Sequence, residues 1–195
     1  GIPISSGLGG SAASSVAATV AINALLTKPL AKRDLLKFAI EGERKACRSA
    51  HADNVAPSLL GGVCLIRSYD PLDIIQIPVR NSVVWVVAHP HITVRTEDAR
   101  RILPDMISLK TGIRQWGNVG GLTTGLITGN AKLIGKCLED RIAEPLRAEF
   151  VPGFYDVKQA ALFAGALGCT LSGSGPSMFA VATSLQVARR IGAAM

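Results

Sequence analysis

Residues 3–15 read Pro-Ile-Ser-Ser-Gly-Leu-Gly-Gly-Ser-Ala-Ala-Ser-Ser, a glycine- and serine-rich loop running straight into an alanine-rich apolar segment at 16–26. Gly7, Gly9 and Gly10 have no Cβ and accept positive φ, so backbone N–H groups can converge on one point. The apolar segment is a predicted helix with Ser11 near its first turn. Unpaired N–H groups and the positive end of a helix dipole favour an anion there, typically a phosphate. Taken alone, the loop admits two readings, a flexible cap on an ordinary helix or a phosphate cradle.

Two common glycine loops do not fit. The P-loop ends in Gly-Lys-Ser/Thr, and no lysine follows Gly10. Gly7, Gly9 and Ala12 match the dinucleotide fingerprint G-x-G-x-x-A, but that motif requires a strand after its helix. Here Thr27-Lys28-Pro29 leads into another helical pattern. A phosphate loop of a different kind is left.

The composition is that of a folded chain, 48% hydrophobic and 18% charged, with room for a core in 195 residues. The net charge of +7 comes from 21 basic and 14 acidic residues. The basic residues are scattered without interleaved aromatics, which argues against a nucleic-acid surface and for a few arginines placed on a small anion. No apolar run has the length of a membrane span. Cys47, Cys64, Cys137 and Cys169 lie far apart without metal-ligand spacing, and read as reduced, buried thiols of a cytoplasmic protein.

A second helix is predicted over 31–50, with Leu36, Ile40, Glu43 and Cys47 on one stripe. Glu43 either lies at the solvent edge of that stripe or is buried beside it. If buried, it needs a cation, and a metal ion near phosphates is one candidate. His51-Ala52-Asp53-Asn54-Val55-Ala56-Pro57 is a polar cluster at the helix end that could cap and turn the chain or recognise a substrate. Strands are expected at 62–67, 72–78 and 83–88 as an antiparallel meander under the two helices. Thr96 is the expected N-cap of a short helix over 97–103. His89 and His91 flank Pro90 without a third metal ligand in register. Two helices broken near Gly129-Asn130, an ordered loop over 141–153 and a helix over 154–167 follow. A strand at 169–171, the loop Ser172-Gly173-Ser174-Gly175-Pro176, a strand at 177–183 and a last helix from Leu185 complete the pattern. The second glycine loop is a backbone-lined concavity suited to contacting the first loop or the phosphates it holds.

Residues 3–13, 52–62 in looser form, and 171–176 together resemble the GHMP kinase superfamily. The first resembles its motif Pro-x-x-x-Gly-Leu-Gly-Ser-Ser-Ala, and the last its C-terminal glycine motif. The segment 51–57, and Ile142-Ala143-Glu144-Pro145-Leu146-Arg147 with Val151-Pro152-Gly153-Phe154, are similar to the homoserine kinase branch. The resemblance covers nearly the whole chain. It implies an α+β chain of the GHMP kinase fold. Residues 1–80 would be part of an N-terminal domain like ribosomal protein S5 domain 2, and 81–195 a ferredoxin-like α/β C-terminal domain.

The activity so implied is ATP-dependent phosphorylation of the side-chain hydroxyl of L-homoserine, a step toward threonine. Pro3, Ser5, Ser6, Gly7, Leu8, Gly9, Gly10, Ser11, Ala12 and Ala13 would wrap the ATP phosphates, and Ser11 and Glu43 would hold Mg²⁺. His51, Asp53 and Asn54 would line the homoserine site. Arg100 and Arg147 would grip its α-carboxylate. Asn54 and Thr96 would lie at the phosphoryl-transfer centre. In that branch transfer proceeds by positioning and charge neutralisation without a strong base. Another GHMP kinase, of the mevalonate kinase type, and a non-catalytic ligand-binding remnant are the rival readings; a homodimer is an open expectation. Two departures stand out. Gly10 occupies a position where the superfamily commonly has serine. The superfamily's first motif, Pro-x-x-Asn-Leu-Gly, is absent with its strands, so the sequence is expected to lack an N-terminal portion, and whether it is active alone is left open.

Overall fold

A computed structural model of the chain describes residues 1–47, 51–80 and 82–195, the side chain of Cys47 apart. The chain divides into two compact units. One holds Ile2 and Gly9–Pro78, the other Gly1, Pro3–Leu8 and Val79–Met195.

In the first unit, helices α1 (Gly10–Ala24), α2 (Leu36–Cys47) and α3 (Ala52–Leu60) pack on one another, and α3 packs on the hairpin of β1 (Val63–Tyr69) and β2 (Leu72–Ile77). Their core is Ala12, Val16, Leu35, Leu36, Ala39, Val55, Ala56 and Leu59, with Cys64, Ile66 and Ile74 from the hairpin against it. Small residues set the spacing between α1 and α2. Ser15 Oγ donates to the Ala39 carbonyl at 2.7 Å, and a Cβ at Gly42 would stand 2.2 Å from that hydroxyl. No side chain larger than hydrogen fits at 42 while this contact stands.

The sequence reading needs four corrections here. Helix α1 begins at Gly10, which puts Ser11 in its first turn as expected but draws residues 10–15 of the glycine- and serine-rich stretch into the helix, because Gly9 takes the left-handed conformation (φ 76°) and turns the chain directly into it. The expected helix over 31–50 opens as a 3₁₀ turn, Lys32–Leu35, before α2; residues 48–50 lie outside the described ones. The polar cluster is no turn. His51 is the extended N-cap residue of α3, whose buried stripe Ala52, Val55, Ala56 and Leu59 follows helical periodicity through Pro57. Finally, the three-stranded meander does not form: β3 (Val84–Ala88) pairs in the other unit's sheet.

That second unit is built on an antiparallel sheet of order β3-β5-β4, with β4 at Cys169–Leu171 and β5 at Met178–Ala182. The run Met178, Ala180, Val181, Ala182 is buried, and with Cys169, Leu171, Phe154, Ala161, Ala188 and Ile191 it makes most of the core. Between β3 and β4 the chain forms α4 (Thr96–Arg101), α5 (Leu109–Thr128), α6 (Ala131–Cys137), α7 (Glu144–Arg147) and α8 (Phe154–Phe163); α9 (Leu185–Ala194) ends it. The break between α5 and α6 falls where expected, with Gly129 left-handed (φ 74°) and the Asn130 side chain accepting from the Leu133 N–H. Two further expectations are corrected. The ordered loop over 141–153 contains α7 and a 3₁₀ turn, Ala148–Phe150. Thr96 is the first residue of α4, and the extended cap is Arg95.

Gly42→Ala should therefore lower stability by about 1–3 kcal/mol through overpacking. Gly117→Ala, inside α5 where an added Cβ meets nothing within 4 Å, should raise it by up to about 1 kcal/mol. Thermal unfolding of the two variants checks both signs.

Candidate active site

The glycine loop at 3–13 divides between the units, and each half has its own geometry. From Gly9 onward it forms the start of α1. Gly9 caps that helix without any side-chain hydrogen bond, so the first-turn N–H groups of Gly10, Ser11 and Ala12 point out of the helix as donors for an anion. Ser11 Oγ donates to Glu43 Oε1 at 2.8 Å. Glu43 is only 5% exposed, which settles the two readings of its stripe in favour of burial. Its other oxygen, Oε2, is buried without a hydrogen-bond partner. A buried carboxylate oxygen left so costs about 1–3 kcal/mol or more, and hard oxygen donors of this kind suit a divalent cation. Among the described residues there is no cluster of three or more His, Cys, Asp or Glu side chains that could hold a metal ion. Ala12 is on the buried face of α1, and Ala13 closes the first turn by donating to the Gly9 carbonyl at 2.9 Å.

Asn54, exposed on the first turn of α3, lies against the same loop. A Cβ at Gly9 would stand 3.2 Å from its Oδ1. Asp53, also exposed, accepts from the Asn54 N–H at 2.8 Å. His51 precedes both at the cap. One unit thus gathers Gly9, Ser11, Glu43 and Asn54.

In the other unit the leading half of the loop meets the second glycine loop. Ser172 Oγ donates to the Gly7 carbonyl at 2.9 Å, and the Ser177 N–H donates to the Ser6 carbonyl at 3.2 Å. Gly7 (φ 74°) is bound to be glycine twice over, since a Cβ there would stand 2.3 Å from the Ser172 carbonyl oxygen and 2.6 Å from that of Gly175. Ser5 holds positive φ (54°) without being glycine, a conformation that costs energy and gathers at functional loops. Ser6 is buried and its Oγ accepts from the Leu8 N–H at 3.3 Å, while Pro3 is exposed.

Thr96 and Arg100 share α4, both half-buried. Arg147 ends α7 and ties that helix to the second glycine loop: Nε donates to the Ala99 carbonyl and Nη1 to the Gly173 carbonyl, both at 3.0 Å. Its guanidinium therefore sits one residue from Arg100 along α4. Glu144, three residues earlier and 7% exposed, accepts from Lys158 and from the Thr170 hydroxyl. This buried triad anchors α7 to α8 and β4. Beside it the Cys169 thiol is pushed up to about 11, by burial first, with Lys158 opposing and Glu144 adding to the rise. Sequence reasoning assigned nothing to Glu144, Lys158, Thr170 or Ser177. Only the second glycine loop's fit to the first was anticipated.

Residues 1–62 match the family GHMP kinases N terminal domain, and residues 122–195 match GHMP kinases C terminal. The chain is 58% identical over 194 residues to a homoserine kinase of Chlorobium phaeobacteroides, covering 100% of this chain and 61% of the relative. Its structure is similar to the crystal structure of homoserine kinase from Cytophaga hutchinsonii, with a TM-score of 0.95 and 56% identity, covering 99% of this chain and 61% of that one. The L. major mevalonate kinase structure shares the fold at a TM-score of 0.77 and 20% identity, covering 95% of this chain and 60% of that one. The chain thus spans about three fifths of the length of the curated relatives it matches.

Glu144→Ala should lower stability by about 3 kcal/mol, because it strands the Lys158 ammonium in a site built for a pair. Thr170→Val, which leaves that pair intact, should cost about 1 kcal/mol. Denaturant titration of both variants tests this ordering.

Proposed function

The chain belongs to the GHMP kinases, and on that premise we propose that it carries the phosphate, metal and substrate residues of a homoserine kinase. The reaction is transfer of the γ-phosphoryl group of ATP to the side-chain hydroxyl of L-homoserine, a step toward threonine in the cytoplasm. The observation that carries the kinase reading is the pairing of Ser11 with buried Glu43 at the open N-terminus of α1. The choice of homoserine rests on the kinship with homoserine kinases over the whole chain. Kinship with mevalonate kinase is of the fold alone.

The N–H groups at the start of α1, with the loop from Pro3 to Gly10, hold the ATP phosphates. Ser11 and Glu43, whose Oε2 has no hydrogen-bond partner, are the residues that would hold Mg²⁺. Bound with the nucleotide, the ion supplies charge neutralisation at the phosphates. Arg100 and Arg147 take the α-carboxylate of the amino acid, and two of Arg147's donors already fix its plane against backbone carbonyls. Asp53 faces the ammonium group, and His51 and Asn54 complete the polar wall. Asn54, against Gly9, and Thr96, at the head of α4, orient the attacking hydroxyl toward the phosphorus. Rate enhancement comes from alignment of the hydroxyl with the leaving oxygen and from the fixed positive field, and no side chain is needed as a strong base. The substrate is a small molecule; no nucleic acid or membrane takes part. No helix among the described residues is long and apolar enough to cross a membrane. A homodimer is the proposed assembly.

An ADP-release assay with L-homoserine, mevalonate and shikimate should register turnover with homoserine alone, and turnover on either of the others instead overturns the assignment. Glu43→Gln should lower turnover about a hundredfold while homoserine affinity stays within about twofold. Undiminished turnover in that variant removes the metal role.

A further inference from the structure

His89 was singled out in the sequence only as half of a histidine pair without a third metal ligand. The structure puts it to another use. It follows the last residue of β3, where Ala88 pairs with Met178 of β5. One step further along the same antiparallel register brings it beside Ser177. His89 Nδ1 lies 3.0 Å from Ser177 Oγ. Ser177 is fully buried, so its hydroxyl must find a partner within the protein, and among the described residues that partner is this ring.

Ser177 is also the junction of the two glycine loops. Its N–H donates to the Ser6 carbonyl at 3.2 Å, and its own carbonyl accepts from the Ser172 N–H at 2.8 Å. Ser172 in turn grips the Gly7 carbonyl through its hydroxyl at 2.9 Å. Fixing the Ser177 side chain therefore fixes the backbone that makes the latch between the loops. We propose, resting on the reading above that the loop at 3–13 holds the ATP phosphates, that His89 is a positioning residue for that loop, acting through Ser177. The imidazole touches neither substrate. It holds the Ser177 rotamer, and through it Ser6 and Gly7, in the conformation that presents the loop to a nucleotide.

The test compares His89→Leu, His89→Asn and Ser177→Ala, using calorimetric titration of ATP and, separately, of L-homoserine. Asparagine places an amide that can donate or accept where Nδ1 stands. His89→Leu should weaken ATP binding about tenfold and homoserine binding by less than about twofold, with His89→Asn back within about threefold of the parent, as for one buried hydrogen bond lost and restored. Ser177→Ala should match His89→Leu, and the double variant should be no weaker than either, the signature of one shared interaction. Should His89→Leu fail to fold, Ser177→Ala carries the same expectation. Unchanged ATP affinity, an equal loss of both ligands, additive single effects or no rescue by asparagine each overturn the proposal. If the unaltered chain binds no ATP, the nucleotide reading itself has failed. Amide exchange at Ser177 and Ser172 then decides on the latch: faster exchange in His89→Leu upholds it, and unchanged exchange removes it.

Discussion

At Gly7 the backbone passes so close to the second glycine loop that the nearest carbonyl oxygen would stand 2.3 Å from any added Cβ. Much of the site geometry in that unit depends on this approach. It lets Ser172 and Ser177 hold the Ser6 and Gly7 carbonyls directly. It commits the second glycine loop to a shape whose Gly173 carbonyl then serves Arg147, which also holds the Ala99 carbonyl of the helix carrying Thr96 and Arg100. A chain of backbone contacts, each of modest net worth in water, thus runs from the glycine loop to the arginines. Its value lies in geometry. A guanidinium with two donors already engaged has lost most of its rotamer freedom, so less ordering would remain to be done in binding an anion.

Much of this was legible in the sequence because glycine and serine patterns speak about the backbone itself. The glycine turn leading into α1, the break at Gly129-Asn130 and the strand–loop–strand at 169–183 all sit where their residues suggest. What misled was polarity. His51, Asp53 and Asn54 looked like a turn, yet Ala52, Val55, Ala56 and Leu59 bury the opposite face of the same helix. Three polar residues at the head of a helix are compatible with a buried stripe behind them. The sequence of three apolar runs at 62–88 suggested one sheet, but periodicity is silent on which partner a strand takes. β3 pairs with β5, some ninety residues on, and its register there continues into the His89–Ser177 contact. Long-range pairings such as Glu144 with Lys158 and Thr170 leave no local trace at all.

Among the described residues two carboxylates are buried, and their surroundings differ in how far the fold satisfies them. Glu144 has both oxygens matched, one by Lys158 and one by Thr170. Everything it needs is supplied by the fold, and its effect is to anchor α7. Glu43 is as deeply buried, but the fold supplies it only the Ser11 hydroxyl, and Oε2 has no hydrogen-bond partner. If Glu43 served stability alone, a glutamine or an apolar residue would do better there, since an unmatched charge in a low-dielectric site costs more than it returns. The α2 stripe around it, Leu36 and Ala39 in the core with Ile40 packed on it, shows that apolar residues fit that face. An unmatched oxygen retained beside an uncapped helix N-terminus is therefore best explained by a partner that arrives from outside. On the proposed reading, a cation brought with an anionic ligand would answer both needs at once: the anion would take the first-turn N–H groups, and the cation the carboxylate.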